Sequence, residues 1–368
     1  MTNLSFTKEK DLDTFIKEGK YNKILIITGK NSYKKSGAEI LLKRICNKSI
    51  VDIVIKKNSF PEITELKEII RKIKIFSPEL IIAIGGGSVI DYAKISNALY
   101  EETDIEDKVF NSSYKTKKFT KLLAIPTTAG SGAEVTANAV IYINKIKYSV
   151  EGPDLKPDFH FLIPELVIGS SNSIKASAGF DAIAQAIESL ISKKSNNESV
   201  EFSKKFLKIS IKNYLNYLKV PNFENTSAMC LAANLSGEAI SISKTTAPHA
   251  VSYPFTSIFN ISHGHAVSIT LNKFLNFNYK NLLMANCDFD LKKRYKNIFK
   301  ISNTSGIVDL DNFLIEIKKK ARLEDNLLKL GIDINKSYSK IISGINIKKL
   351  SNNPVSITKK DLKDIIAG

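Results

Sequence analysis

The sequence predicts a doubly wound parallel α/β domain (Rossmann-like) followed by an all-α helical domain, and three observations carry that prediction. Short apolar runs alternate with helical patterns over residues 23–169; almost everything after residue 173 keeps a helical period; and one buried strand runs directly into three glycines and a helix. Strands alternating with helices of this length pair in parallel, because each helix returns the chain across a face of the sheet.

Taken in order, residues 24–28 read as a first strand and 33–46 as a helix. Residues 50–55 give a second strand, and 63–75 a helix with apolar positions three and four apart. Ile81, Ile82, Ala83 and Ile84 form a third strand and residues 122–125 a fourth. The polar, aperiodic stretch 101–119 between them is expected as a surface excursion, and 140–143 with 147–150 as a hairpin around Asn144 and Lys145. In the helical half, loops are expected at 220–225 and 303–306; Asn353-Pro354 stops one helix, and Thr358 with Asp361 caps the last. The expected domains are 1–165, for a dinucleotide, and 166–368, for metal and substrate.

A chain of 368 residues has room for two cores, and no apolar run reaches the roughly 18 residues of a membrane span. The opening MTNLSFTKEKDLDTF is charged where a signal peptide is apolar, and Cys46, Cys230 and Cys287 show no CxxC spacing. Both point to a cytoplasmic protein with reduced, buried thiols. Fifty-four basic against thirty-seven acidic residues leave a formal charge of +17. The lysines are scattered and form no basic block interleaved with aromatics, which ranks a small anionic molecule above nucleic acid as the partner. No membrane partner is expected, and the assembly is expected to be a homodimer or higher homo-oligomer.

The stretch IIAIGGGSVIDYAK places Gly85, Gly86 and Gly87 between strand and helix, with Ser88 as the expected N-cap. Three residues without Cβ let a ligand press on the backbone, and the new helix offers unpaired N–H groups to a phosphate or pyrophosphate. A second small-residue loop, PTTAGSGAEVT, follows the fourth strand. There the hydroxyls of Thr127, Thr128 and Ser131 can bond ribose, phosphate or a nicotinamide amide, at the strand ends where doubly wound sheets bind ligands. In the helical half Asp181 and Gln185 share one helical face, and three of the chain's four histidines, His249, His263 and His265, fall close together. One aspartate and two histidines are a plausible three-ligand set for Zn²⁺ or Fe²⁺ with positions left open for substrate. A helix starting near His263 would point His265 away from it.

Together these stretches resemble the iron-containing (group III, metal-dependent) alcohol dehydrogenase family. Its GGGSxxDxAK motif is similar to residues 85–94, its PTTAGTGSEVT loop to 126–136, and its GxDAxxHAxE helix to 179–188. Its two histidines fourteen apart match His249 and His263, and its closing NPxxxTxxDL pattern recurs at 353–362. The resemblance covers essentially the whole chain. It implies a dehydroquinate synthase-like architecture, with Asp91 and Lys94 around phosphate and ribose and Asp181, His249 and His263 on the metal. Where the family usually has a second histidine on the metal helix, this chain has Gln185. Where it usually has a histidine four residues after the first of the pair, this chain has Tyr253, whose phenol can donate a proton or a hydrogen bond. Relatives resembling glycerol dehydrogenase manage with three protein ligands.

Family members that select NAD often carry an aspartate after the first strand; here stand Gly29, Lys30, Asn31 and Ser32, which favour NADP(H) over NAD(H). Lys244 and Thr245 precede His249 by about one helical turn, where a lysine suits an acidic substrate, and Tyr253, Lys244 and His265 are the expected catalytic groups. The run KTTAPHAVSYP followed by HGHAV is most similar to members that reduce phosphonoacetaldehyde to 2-hydroxyethylphosphonate. The expected reaction is reduction of a small aldehyde. A lyase resembling dehydroquinate synthase and a non-catalytic nucleotide-binding protein stand as alternatives.

Overall fold

The computed structural model describes residues 9–345 and 347–367; the first residues of the N-terminal stretch read above lie outside them. The chain divides into two compact units, Met1–Ser171 with Asn222–Asn234, and Asn172–Pro221 with Leu235–Gly368. The sequence placed one cut after residue 165. A helical period does not say which core a helix joins, so the excursion of Asn222–Asn234 into the first unit was not legible.

In the first unit α1 (Glu9–Gly19) leads to β1 (Lys23–Gly29), α2 (Lys30–Lys35), α3 (Ala38–Ile45), β2 (Ile50–Lys56), α4 (Ile63–Phe76), β3 (Leu80–Gly85), α5 (Gly87–Ala98), α6 (Ile105–Asn111), β4 (Lys121–Pro126), β5 (Asn138–Ile143), β6 (Ile146–Glu151), β7 (Phe159–His160) and α7 (Glu165–Ile168). Five strands form a parallel sheet in the order β2-β1-β3-β4-β7, and β5 and β6 make the antiparallel hairpin. The two-residue period sorts the apolar side chains by face. Leu25, Ile27, Ile81, Ala83, Leu122 and Ala124 pack with α4 and α5. Ile24, Ile26, Leu80, Ile82, Ile84, Leu123 and Ile125 pack with α1 and α3 on the other side. A sheet covered on both faces needs strands that are apolar throughout, which is why these runs show no polar alternation. The order reverses between β1 and β3, so the ligand position of such a sheet lies at Gly29 and Gly85–Gly87.

Three local expectations are corrected. The helix over 33–46 is two helices, because Gly37 takes a left-handed conformation (φ 87°) that breaks the run. The excursion 101–119 contains α6, whose Ile105 and Val109 are buried and give it a reason to fold. Ser88 is not the N-cap of α5: the helix already starts at Gly87, Gly86 is the extended N-cap residue (φ −74°, ψ 178°), and no side chain caps the end.

In the second unit α8 (Asn172–Ile191), α9 (Asn197–Lys219), the later part of α10 (Phe223–Ser243), α11 (Ala247–Phe259), α12 (His263–Lys280), α13 (Leu291–Ser302), α14 (Ile307–Ala321), α15 (Ile334–Ser343) and α16 (Lys359–Ala367) build an all-helical core. Helix α8 is buried along almost its whole length, against α9 and α12. Thr358 and Asp361 form a reciprocal capping box on α16, as the sequence led us to expect. Cys46 and Cys230 are buried and Cys287 half-buried, all three as free thiols. Burial pushes the Cys46 thiol up to about 11, so it stays protonated and inert. No helix among the described residues is long and apolar enough to cross a membrane.

Candidate functional site

The glycine turn of the first unit is lined by the loop after β4. A Cβ on Gly86 would lie 3.5 Å from the Thr128 hydroxyl, and one on Gly87 only 2.6 Å from the Ser131 hydroxyl. Thr128 and Ser131 are thus brought to the turn. Thr127 instead donates its backbone N–H to Gly85 O and joins the two strand ends. Gly29 at the end of β1 is in register with Lys56 at the end of β2, and Lys30 beside it is exposed. The first turn of α5 has no side-chain cap, so its leading N–H groups face the turn, an arrangement suited to an anion.

Two residues assigned to this site point elsewhere. Lys94 is fully buried, and its ammonium donates to Ala133 O, Thr136 Oγ1 and Asn138 O at 2.6–2.9 Å. An ammonium has three N–H donors, and here three oxygens take them, so Lys94 staples α5 to the segment before β5 rather than reaching a phosphate. Asp91 accepts the Val140 N–H from β5 and belongs to the same staple. The sequence places both on the helix after the glycines; the face they present is set by β5.

In the second unit Asp181, His249 and His263 converge, with one ligand atom from each lying within 4.8 Å of the others. Asp181 Oδ1 is 3.1 Å from His249 Nε2 and 3.7 Å from His263 Nε2. Helix α8 supplies the aspartate, the first turn of α11 His249, and the first residue of α12 His263. The approach of α12 to α8 depends on Gly264, where a Cβ would fall 2.0 Å from Ser177 O and 2.8 Å from Asp181 Cβ. Ser177 Oγ then accepts from the Ser262 hydroxyl and the His265 N–H, fixing the start of α12.

Gln185, in place of the family histidine, is not a fourth ligand. Its Nε2 donates to Asp181 Oδ2 at 3.2 Å, while its Oε1, the one atom able to bind a cation, accepts from Ser236 Oγ at 2.6 Å. It steadies the carboxylate from behind. The donor set is therefore one carboxylate and two imidazoles, which fits a divalent ion such as Zn²⁺ or Fe²⁺ with coordination positions open.

Burial disfavours an imidazolium at His249, yet the Glu188 and Asp181 carboxylates outweigh it and push His249 up to about 9 from 6.5. A raised value in the folded state gives stability that is complete below the unfolded value and lost as pH climbs through the folded one. The metal-free protein should therefore lose several degrees of Tm between pH 6.5 and 9. Adding Zn²⁺, which takes the place of the Nε2 proton, should flatten that slope. Melting curves in chelator and in zinc check this, and a flat profile in chelator would show that no imidazolium sits there.

The expected catalytic groups separate. The Tyr253 ring, one turn after His249 on α11, stacks on His263 with centroids 5.7 Å apart and planes at 24°. His265 does not join the cluster: its Nε2 meets Glu324 O at 2.6 Å. Lys244 and Thr245 lie not in a helical turn before His249 but in the linker between α10 and α11, with Lys244 in the left-handed region. A cation does stand by Tyr253, Lys349, its Nζ 5.1 Å from the ring centroid. No role was given to Lys349 or to Glu188; for Glu188 the available signals were its place as the closing residue of the GxDAxxHAxE match and its position seven residues after Asp181, on the same face of α8.

Comparison with known proteins bears on this geometry. Residues 6–164 match the family described as iron-containing alcohol dehydrogenase, and residues 175–368 the C-terminal part of that family. The chain is 31% identical over 205 residues to phosphonoacetaldehyde reductase of Streptomyces viridochromogenes, covering 53% of this chain and 52% of that protein. It is 28% identical over 232 residues to an aldehyde-alcohol dehydrogenase of Streptococcus pneumoniae, covering 59% of this chain and 26% of the other. The matches thus span a quarter to a half of those relatives. Among solved structures, sulfoacetaldehyde reductase from Bifidobacterium kashiwanohense in complex with NAD⁺ superposes with a TM-score of 0.87 at 24% identity, over 99% of this chain and 95% of that one, and so shares the fold.

Proposed function

Because the chain belongs to the iron-containing alcohol dehydrogenase family, we propose that it is an NAD(P)H-dependent, metal-assisted reductase of a small anionic aldehyde, with phosphonoacetaldehyde as the first candidate substrate. The observation that carries this reading is the Asp181–His249–His263 cluster with Gln185 turned away from it. A divalent metal held by those three residues, Fe²⁺ or Zn²⁺, supplies Lewis acidity to a substrate carbonyl, and a bound nicotinamide supplies the hydride. The chain's own groups do the rest. The amide groups at the start of α5, with Thr128 and Ser131, bind the dinucleotide. Tyr253, stacked on His263, brings a phenol to the edge of the cluster as a proton or hydrogen-bond donor. Lys349, against the Tyr253 ring, puts positive charge on that side and favours an anionic substrate in the part first given to Lys244. Likeness to phosphonoacetaldehyde reductase supports the same substrate class. NADPH oxidation over small aldehydes, each with and without a phosphonate, phosphate or carboxylate, tests the reading. Turnover of uncharged aldehydes alone would overturn the anionic class, and no turnover of any aldehyde the whole proposal.

NADPH is the proposed cofactor. At the end of β1 Gly29 brings no negative charge, Lys30 and Ser32 follow, and Lys56 closes in, with its Cε 3.7 Å from where a Cβ at 29 would be. Gly29→Asp should reverse the preference. Its Cβ would meet the Ser32 hydroxyl at 2.9 Å, the end of a short side chain that can turn away by giving up its single hydrogen bond to Gly29 O, so the fold survives while the new carboxylate repels a 2′-phosphate. We expect wild-type kcat/KM to favour NADPH by about tenfold or more, corresponding to about 1.4 kcal/mol, and the variant to favour NADH. A wild-type preference for NADH would overturn the assignment.

A further inference from the structure

Glu188 is not one of the three candidate ligands, yet the arrangement around it decides which nitrogen of His249 can bind a metal. It is fully buried on α8, seven residues after Asp181. Its Oε1 accepts three hydrogen bonds from the start of α11: from the Thr246 N–H at 2.9 Å, the Thr246 hydroxyl at 2.9 Å and the His249 N–H at 3.3 Å. Its Oε2 meets His249 Nδ1. The opposite ring nitrogen, Nε2, is the one that faces Asp181 Oδ1.

We propose that Glu188 is a positioning residue that fixes His249 as the tautomer carrying its proton on Nδ1, so that the Nε2 lone pair is presented to the metal. An ionised carboxylate only accepts, so the nitrogen it meets must donate. The same contacts place the first turn of α11 and hold the ring's direction. A ligand imidazole whose other nitrogen is committed to a carboxylate has both its orientation and its basicity set from behind. This inference rests on the metal reading of the site given above.

A plainer role is open to Glu188, that of satisfying buried donors at the start of α11, and Glu188→Gln separates the two. The amide fills the same space. Two backbone N–H groups sit at the Oε1 position and only an oxygen can accept them, so the amide NH₂ must turn to His249 Nδ1. The imidazole then accepts at Nδ1 and carries its proton on Nε2, against the metal. A role confined to filling space and satisfying the α11 donors predicts no change, because those three bonds are kept.

The experiment loads wild type and Glu188→Gln with Zn²⁺, measures affinity by competition with a chelator, and records the melting temperature of each metal-free protein. We expect zinc affinity weakened by about 10–100-fold in a variant that still folds and melts cooperatively. Equal affinity in a folded variant overturns the role of Glu188 while leaving the metal site standing; a wild type that binds no zinc overturns both. Should the variant fail to fold, long-range ¹H–¹⁵N spectra of zinc-loaded wild type decide. A proton on His249 Nδ1 supports the proposal and one on Nε2 overturns it.

Discussion

Gly264→Ala should strip this protein of its metal although it alters no ligand. The added Cβ would stand 2.0 Å from Ser177 O and 2.8 Å from Asp181 Cβ, both on buried α8. Neither is the end of a flexible side chain, so the first turn of α12 has to withdraw by more than about 1 Å to reach ordinary contact distance. Metal ligands tolerate about 0.2 Å, and His263 is the residue directly before this glycine. Zinc affinity should fall by at least about 100-fold, the upper end of what supporting residues cost, with aldehyde reduction falling alongside. His263→Ala is the companion: it removes a ligand without forcing the helices apart and should also abolish metal retention and turnover. Added imidazole should restore part of the zinc binding to His263→Ala, where it can fill the hole, and none to Gly264→Ala. Full metal retention by Gly264→Ala would show that α12 does not depend on this close approach.

Gly86→Val should abolish cofactor binding in a protein that still folds. Gly86 has an extended backbone (φ −74°, ψ 178°) open to any residue, and its Cβ would make ordinary contact with Thr128 at 3.5 Å. The neighbouring glycines are less permissive. A Cβ on Gly85 would strike Val89 at 2.7 Å and one on Gly87 would strike Ser131 at 2.6 Å, so substitutions there confound folding with binding. At Gly86 the branched side chain instead occupies the approach to the first amides of α5. Fluorescence titration with NADPH should show no saturable binding, while the melting temperature stays close to wild type. Unchanged titration would reduce the turn to a structural element and move the pyrophosphate elsewhere.

Gln185 shows where a family pattern stops being a guide. An amide at a ligand position suggests a weak ligand or a lost one, and on that reading its removal costs little. In the structure its oxygen is committed to Ser236 and its NH₂ to Asp181 Oδ2. Gln185→Ala should therefore loosen the aspartate and weaken zinc binding measurably, though less than loss of a ligand. Gln185→His has to break the Ser236 contact before it can coordinate.

What the sequence determined by itself is whatever depends on neighbours along the chain. Apolar runs and a helical period set β1 to β4, α4 and the hairpin to within two residues, although they gave one helix where α2 and α3 stand and none at α6. The run of three glycines marked the end of β3 as a candidate ligand turn, and residue type and spacing made Asp181, His249 and His263 a plausible set that the family resemblance singled out. The tertiary structure decided what each polar side chain faces. Lys94 and Asp91 stand in the glycine motif but are taken up by the segment leading into β5. His265, two residues after His263, turns to Glu324 O. Glu188 reaches across to His249 and Thr246. The physical reason is one of range. Periodicity reports which face of an element is buried, whereas a hydrogen bond is directional and short, and its partner is set by how elements far apart in sequence pack.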